Sequence, residues 1–267
     1  MTNQDDQKGH PVPPFFTNRR RFASGALASV LVAGTAMHAR ADEPALTIFG
    51  ELTYLQRIAL PADSVAVVEV RASDGTLVSE HAIELAGRQV PVAFTLDVFP
   101  GVLAPESRYV LRGMIVSGPL VRWRGEEVDV DPSARPADVG TLVLAMLEPP
   151  AQDDMARLQS GWRVETIDGA AVAAEQPVAM TFGADGSLSG RACNAFGGSY
   201  RVAGGDITFG RIVSTMMACA EPMMAQEHAL FSALARAGRY AFAEDGALVL
   251  SDAKGDRLVV ARPADGG

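Results

Sequence analysis

Short runs of β pattern, separated by turn dipeptides, occupy almost the whole chain and leave room for one segment of helical period. In the first half these runs are Leu46–Phe49, Ser64–Arg71, Thr76–Ile83, Gln89–Leu96, Arg108–Val116 and Gly140–Leu147. In the second they are Trp162–Ile167, Val178–Phe182, Leu188–Arg191, Gly198–Val202, Ile207–Phe209, Tyr240–Phe242, Ala247–Leu250 and Leu258–Val260. Asp74-Gly75, Asp168-Gly169, Asp185-Gly186, Gly204-Gly205 and Asp245-Gly246 supply the turns, because Gly and Asp reach the backbone conformations that tight turns demand. β-branched residues at Val65, Val67, Val68 and Val70 suit a pleated surface, and Arg108-Tyr109-Val110-Leu111-Arg112 alternates as a strand with one wet face does.

The exception is Pro222–Ala237, where Met223, Met224, Ala229, Leu230, Ala233 and Leu234 recur at helical spacing. Pro222 suits the first turn and Gly238 the C-terminal cap. At 267 residues the chain exceeds one ordinary domain. The proline-bearing segment Glu148-Pro149-Pro150-Ala151-Gln152-Asp153-Asp154 divides it. The expected organisation is mainly β: a leader over 1–41, a β-sandwich over 42–147, a linker over 148–157, and an α+β domain over 158–267. The last is expected to be an antiparallel sheet carrying one helix.

The leader reads Arg19-Arg20-Arg21-Phe22, then an apolar stretch from Ala23 to Met37, then Ala39-Arg40-Ala41. That order is an export signal with a small-x-small site, so cleavage is expected between Ala41 and Asp42. The apolar stretch falls short of the roughly 20 residues needed to span a bilayer. Asn18-Arg19-Arg20-Arg21-Phe22 resembles the twin-arginine motif, although ordinary Sec signals also contain adjacent arginines. Both routes lead out of the cytoplasm, and without a cysteine in the leader no N-terminal lipid is expected. The protein is therefore expected to be periplasmic and soluble.

Five of the 23 Lys and Arg and two of the 32 Asp and Glu lie in that leader, so the remainder carries 18 cations against 30 anions, a balance of −12. Such a surface repels nucleic acid and anionic lipid, whose binding starts from a basic patch. Cys193 and Cys219 are the only cysteines, and outside the cytoplasm they are expected to pair. Closing that loop is worth about 3 kcal/mol in the chain-entropy account. The competing reading is a nucleophilic thiol, for which His81 and His228 are the only histidines left outside the leader and neither sits in a catalytic pattern.

Asn194 is read as a turn residue bonding its own backbone, and Met216, Met217, Met223 and Met224 as packing at a strand-to-helix junction rather than as a peptide-binding or soft-metal surface. Glu227 is read as a helix-surface charge and Glu221 as a first-turn carboxylate complementing the helix dipole. The acidic run Glu126-Glu127-Val128-Asp129-Val130-Asp131 lacks the spacing of a calcium loop, and the phosphate-loop, zincin and nucleophile-elbow patterns are absent.

Two resemblances add to this. Arg191-Ala192-Cys193-Asn194-Ala195-Phe196-Gly197-Gly198-Ser199-Tyr200, with Thr215-Met216-Met217-Ala218-Cys219 and the Met and Glu of the following helix, resembles the META domain of HslJ-type proteins over about Leu158–Pro263. It implies structural motif positions at Trp162, Asn194, Gly198, Tyr200, Thr215, Met217, Ala218, Met224 and Glu227, and a link to stress. Gly50-Glu51-Leu52-Thr53-Tyr54, Arg57-Ile58-Ala59-Leu60-Pro61, the Val67–Val70 strand, Gln89–Phe94 and Arg108-Tyr109 are similar to the YbaY/YscW family over about Leu46–Leu147. That family implies a β-sandwich envelope lipoprotein, its YscW type a pilotin chaperone of a type III secretion secretin. The chain departs from it in lacking the cysteine that would be acylated.

The expected function is non-catalytic, with no cofactor or metal: a stress-related or chaperone-like module binding another envelope protein, with strand addition at a sheet edge as its natural mode. The opposing expectation, a hydrolase or small-ligand protein with a site assembled from distant residues, requires a concave pocket with convergent polar groups.

Overall fold

The computed structural model describes residues 46–99, 101–104, 107–133, 136–173, 175 and 177–264; the leader, with Arg19–Arg21 and the Ala41–Asp42 cleavage position, lies outside the described residues. The protein is mainly β. The first half runs β1 Leu46–Tyr54, β2 Val65–Ala72, β3 Leu77–Glu84, β4 Val92–Val98, β5 Tyr109–Ser117, β6 Leu120–Arg124, β7 Val128–Val130 and β8 Ala137–Met146. The second runs α1 Gln152–Leu158, β9 Gly161–Ile167, β10 Ala170–Ala171, β11 Val178–Phe182, β12 Ser187–Arg191, β13 Ala195–Ala203, β14 Asp206–Phe209, β15 Val213–Ser214, α2 Glu221–Arg236, β16 Arg239–Phe242, β17 Leu248–Ser251 and β18 Arg257–Pro263.

In the first half, β1 lies between β4, antiparallel, and β8, parallel. A second layer orders as β3–β2–β5, with β6 and β7 sharing the far edge of β5. Ile48, Leu52, Val68, Val70, Phe94, Leu96, Leu111, Ile115 and Trp123 fill the space between the layers. The layers are not separate: β8 crosses over to pair with β6 at Trp123↔Met146. Only the side bounded by β3 and β4 lacks a strand pairing among the described residues, so the first half is closed along one side and open along the other. Gly50 marks the bulge where β1 shifts register against β8; a Cβ there would sit 2.5 Å from the Gly140 carbonyl oxygen.

The second half, expected as an antiparallel sheet carrying one helix, closes that sheet into a barrel. β9, β11, β12, β13, β14, β16, β17 and β18 pair in turn, and β18 returns to β9 over Val259↔Ile167 to Pro263↔Trp162, closing an eight-stranded antiparallel ring. Closure removes free edges and surrounds a core of Trp162, Phe182, Tyr200, Phe209, Leu248 and Val259, against which α2 packs Leu230, Ala233 and Leu234. α2 begins at Glu221, one residue before the expected start, with Pro222 in its first turn. The segment read as linker runs into α1, whose apolar contacts are the buried Leu158 and the partly buried Met155, too little for periodicity to register. The Leu158 carbonyl accepts from the Trp162 indole at 3.1 Å, fixing where β9 begins.

Three of the four tyrosines are held protonated by their surroundings. Burial raises the pKa of Tyr54, Tyr200 and Tyr240, with the charges of Asp185 and Tyr240 adding to Tyr200 and that of Asp154 to Tyr240. A raised folded pKa means the unfolded chain ionises first, so this contribution to stability is complete below the usual phenol value of about 10 and is lost as pH rises through the folded values. Ultraviolet absorbance titration should show these phenols ionising late, together with alkaline unfolding; four tyrosines titrating together in the ordinary range would refute it.

Candidate functional site

β2 is buried on both faces, which a strand on the outside of a single domain is not. Its inward residues Val68 and Val70 face the first core, while Val67 packs outward with Met114, Val116 and Val121 beside Ala203 of β13. The second half covers the outward face. One parallel bridge, Val202↔Leu120, links β13 to β6, and the Val202 amide donates to the Pro119 carbonyl at 2.8 Å.

At the middle of this seam a carboxylate stands without contact with water. Glu69 is 0% exposed and accepts from Arg71 at 2.6 and 3.0 Å; Arg112 and Arg201 approach it at 3.9 Å. Arg201, on β13, reaches Glu80 of β3 at 2.8 Å, while Arg112 reaches Glu127 at 2.6 Å. Arg71 also donates to the carbonyls of Gly75 and Phe209, the latter at 2.9 Å across the seam. Three carboxylates therefore balance three guanidiniums, the condition under which buried charges are tolerated.

A second network ties the beginning of β13 to α2. The Asn194 backbone amide donates to Glu227 Oε2 at 2.7 Å and its Nδ2 to Glu227 Oε1 at 3.1 Å. Its Oδ1 accepts from the Thr215 hydroxyl at 3.0 Å and the Met217 amide at 2.8 Å, and Nδ2 also points to Cys193 Sγ at 3.3 Å. The side chain thus uses its hydrogen-bonding capacity on Glu227, Thr215, Met217 and the neighbouring Cys193. Cys193 and Cys219 form a disulfide, their Cα atoms 6.2 Å apart, at the same corner.

Several expectations change here. Glu227 is a buried acceptor, not a helix-surface charge, because the residue it serves lies against α2. Asn194 is structural, but it bonds across three segments rather than its own turn. Met216 and Met217 are not core: they stand 99% and 57% exposed, because the main chain beneath them is occupied with Asn194. Met223 and Met224 are half-buried, Thr215 and Ala218 exposed. Trp162 and Tyr200 lie in the core, the Tyr200 hydroxyl donating to the Gly183 carbonyl at 2.8 Å. Gly198 lets the Arg211 carbonyl approach to 2.9 Å from where a Cβ would stand.

Between the two halves lies a cleft of about 1320 Å3. Its first-half wall is β3 from Leu77 to Ile83 with Ala93–Asp97 of β4, ending at the exposed Phe99 and Val102. The opposite wall is Phe209–Ile212 with Phe231 and Ala235 of α2. Ser79 donates to the Asp97 carbonyl at 2.8 Å, holding β3 and β4 together at one point. Asp97 and Arg211 bring opposite charges to opposite walls; Asp97 accepts from the Thr47 hydroxyl at 2.7 Å, and among the described residues neither makes an ion pair. Apart from Ala93 and Phe94, the end of the Gln89–Phe94 run, these wall residues belong to no motif. The legible signal was β2, apolar in both alternations yet interrupted by Glu69 and Arg71, the mark of a strand covered on both faces.

The META domain family model matches residues 155–265, and the model of the type III secretion system lipoprotein chaperone (YscW) matches residues 43–130. No curated protein matches the chain. Among solved structures, an alternative pilotin from the type II secretion system of Vibrio cholerae is 25% identical, covering 37% of this chain and 96% of that one at a TM-score of 0.33. A protein from Burkholderia xenovorans solved by NMR is 25% identical over 46% of this chain and 94% of that one, at a TM-score of 0.34.

Proposed function

We propose that this pairing of a YscW-type half with a META half is a non-catalytic periplasmic module, chaperone-like and stress-related, that holds a segment of another envelope protein in the cleft between its halves. The observation that carries the reading is the cleft itself. At about 1320 Å3 it exceeds the roughly 300–1,000 Å3 of ordinary small-molecule pockets. The walls offer the facing edges of β3 and β4, which no strand pairs among the described residues, apolar Phe99, Val102 and Ile212, and isolated charges at Asp97 and Arg211. A polypeptide segment can answer all three, since edge pairing satisfies main chain while alternate side chains fill pockets. The YscW match, a lipoprotein chaperone by description, supports a protein as the occupant. The non-catalytic part of the reading is supported by how two cleft polar groups are used: Glu80 is held by Arg201 and the Ser79 hydroxyl by a carbonyl.

The test places a photoreactive amino acid at His81 or Thr95 in the cleft and, as control, at Thr141 on the exposed face of β8, in cells that export the protein. A discrete protein adduct is expected from the first two positions, absent from the third and lost when Phe99→Asp is added. Equal adducts from all three positions, or none from the cleft, would refute the reading.

A further inference from the structure

Residues 211–220 connect β14 to α2 on the outside of an otherwise closed second half. Arg211 and Ile212 belong to the cleft wall, and residues 213–218 are all exposed. Few bonds hold the segment: β15 pairs with β13 at Phe196↔Ser214 and Gly197↔Val213, the Thr215 amide donates to the Ala195 carbonyl at 3.0 Å, and Asn194 takes the Met217 amide. The Cys193–Cys219 bond is the last fastening before α2.

Its two sulfurs are not equivalent. Cys193 is 6% exposed and has Asn194 Nδ2 at 3.3 Å, an amide nitrogen that Glu227 Oε1 at 3.1 Å and the Met217 carbonyl at 3.5 Å hold in place. Cys219 is half-exposed and its sulfur faces the Met217 carbonyl at 3.9 Å, a distance it shares with Cys193 Sγ, so the Asn194 amide is what distinguishes the two. In thiol–disulfide exchange the reachable sulfur is attacked, and the better-stabilised thiolate leaves.

We propose that Cys193–Cys219 is a reducible clasp on the cleft wall. A thiolate of a dithiol reductant attacks Cys219 Sγ, the S–S bond breaks, and Cys193 departs as a thiolate into the Asn194 hydrogen bond. The reductant's second thiol then attacks the mixed disulfide, releasing Cys219. The protein gains two electrons, the reductant becomes a disulfide, and the two new thiolates take protons according to pH. With the clasp open, residues 211–220 keep only the short β15 pairing and the Asn194 bonds, and the Arg211–Ile212 wall is loosened. The consequence for binding rests on the cleft reading above; the clasp itself does not.

The experiment uses the native oxidised protein and needs no partner. Limiting reduced glutathione is added, the reaction is quenched with acid, and the remaining thiols are alkylated before peptide mapping. Glutathione is expected on Cys219 and the alkyl group on Cys193; glutathione mainly on Cys193, or no reaction without denaturant, overturns the proposal. Hydrogen exchange of the fully reduced protein is expected to accelerate at the Thr215 and Met217 amides while β2 and β5 stay protected. Unchanged exchange at those two amides, or global loss of protection, overturns it equally, the latter because the bond would then be a staple of the whole fold.

Discussion

Glu69→Gln is expected to destabilise the protein by about 3–5 kcal/mol, the range for breaking a buried ion pair by removing one partner. The substitution keeps the shape of the side chain and removes its charge, leaving Arg71, 2% exposed, with one neutral amide oxygen and the Gly75 and Phe209 carbonyls as acceptors and with an NH2 turned toward its guanidinium. Arg201 loses its 3.9 Å neighbour at the same time but keeps Glu80. Because Arg71 and Arg201 both span the seam, the loss should fall on the two halves together, as one displaced urea transition rather than two separating ones. Combining Glu69→Leu with Arg71→Met should recover much of the deficit, since replacing a buried pair with apolar groups of similar volume is often neutral. A Glu69→Gln protein whose urea midpoint matched the parent would show that the seam carries no electrostatic load.

Asn194→Ala is the second large effect, at about 3–5 kcal/mol. Hydrogen bonds to a charged group contribute about 1.5–3 kcal/mol each, and two of those made by this residue end on the buried Glu227; the one from the side chain disappears with it. Thr215 and Met217 lose their shared acceptor as well. Asn194→Asp should be no rescue, because it brings a second carboxylate to within hydrogen-bond distance of the first. Glu227→Gln should be milder than either, since an amide oxygen can still accept from the Asn194 amide. Urea denaturation under oxidising conditions, which keeps the Cys193–Cys219 bond intact, measures all three. A cost for Asn194→Ala near 1 kcal/mol, as for an ordinary turn hydrogen bond, would contradict the network.

Much of the local structure was readable from residue order. β4 alternates buried and exposed from Val92 to Val98 because one of its faces meets the core and the other the solvent, and a period of two records that difference directly. Gly75, Gly169, Gly186, Gly204 and Gly246 all take positive φ at the turns their dipeptides announced. α2 was legible because Leu230, Ala233 and Leu234 repeat at the helical period against one core. β6 and β7 were not, being five and three residues long, too short for a period of two to stand out.

Everything that gives the molecule a site depends on which strand lies beside which. Periodicity reports that a residue faces something apolar or something wet, but it carries no information about the identity of that neighbour. Hence the closure of β18 on β9, which join residues nearly a hundred positions apart, left no trace in the periodicity of either strand. A glutamate on α2 looked like a surface charge, although the amide that satisfies it sits 33 residues earlier in the chain. Glu69 and Arg71 break the apolar run of β2, but nothing in residue order says that Arg201 and the Phe209 carbonyl would meet them. The residue types and their local conformations follow from short-range sterics and solvent preference; the buried ionic seam, the Asn194–Glu227 network and the cleft arise only when distant segments supply each other's missing hydrogen bonds and counter-charges.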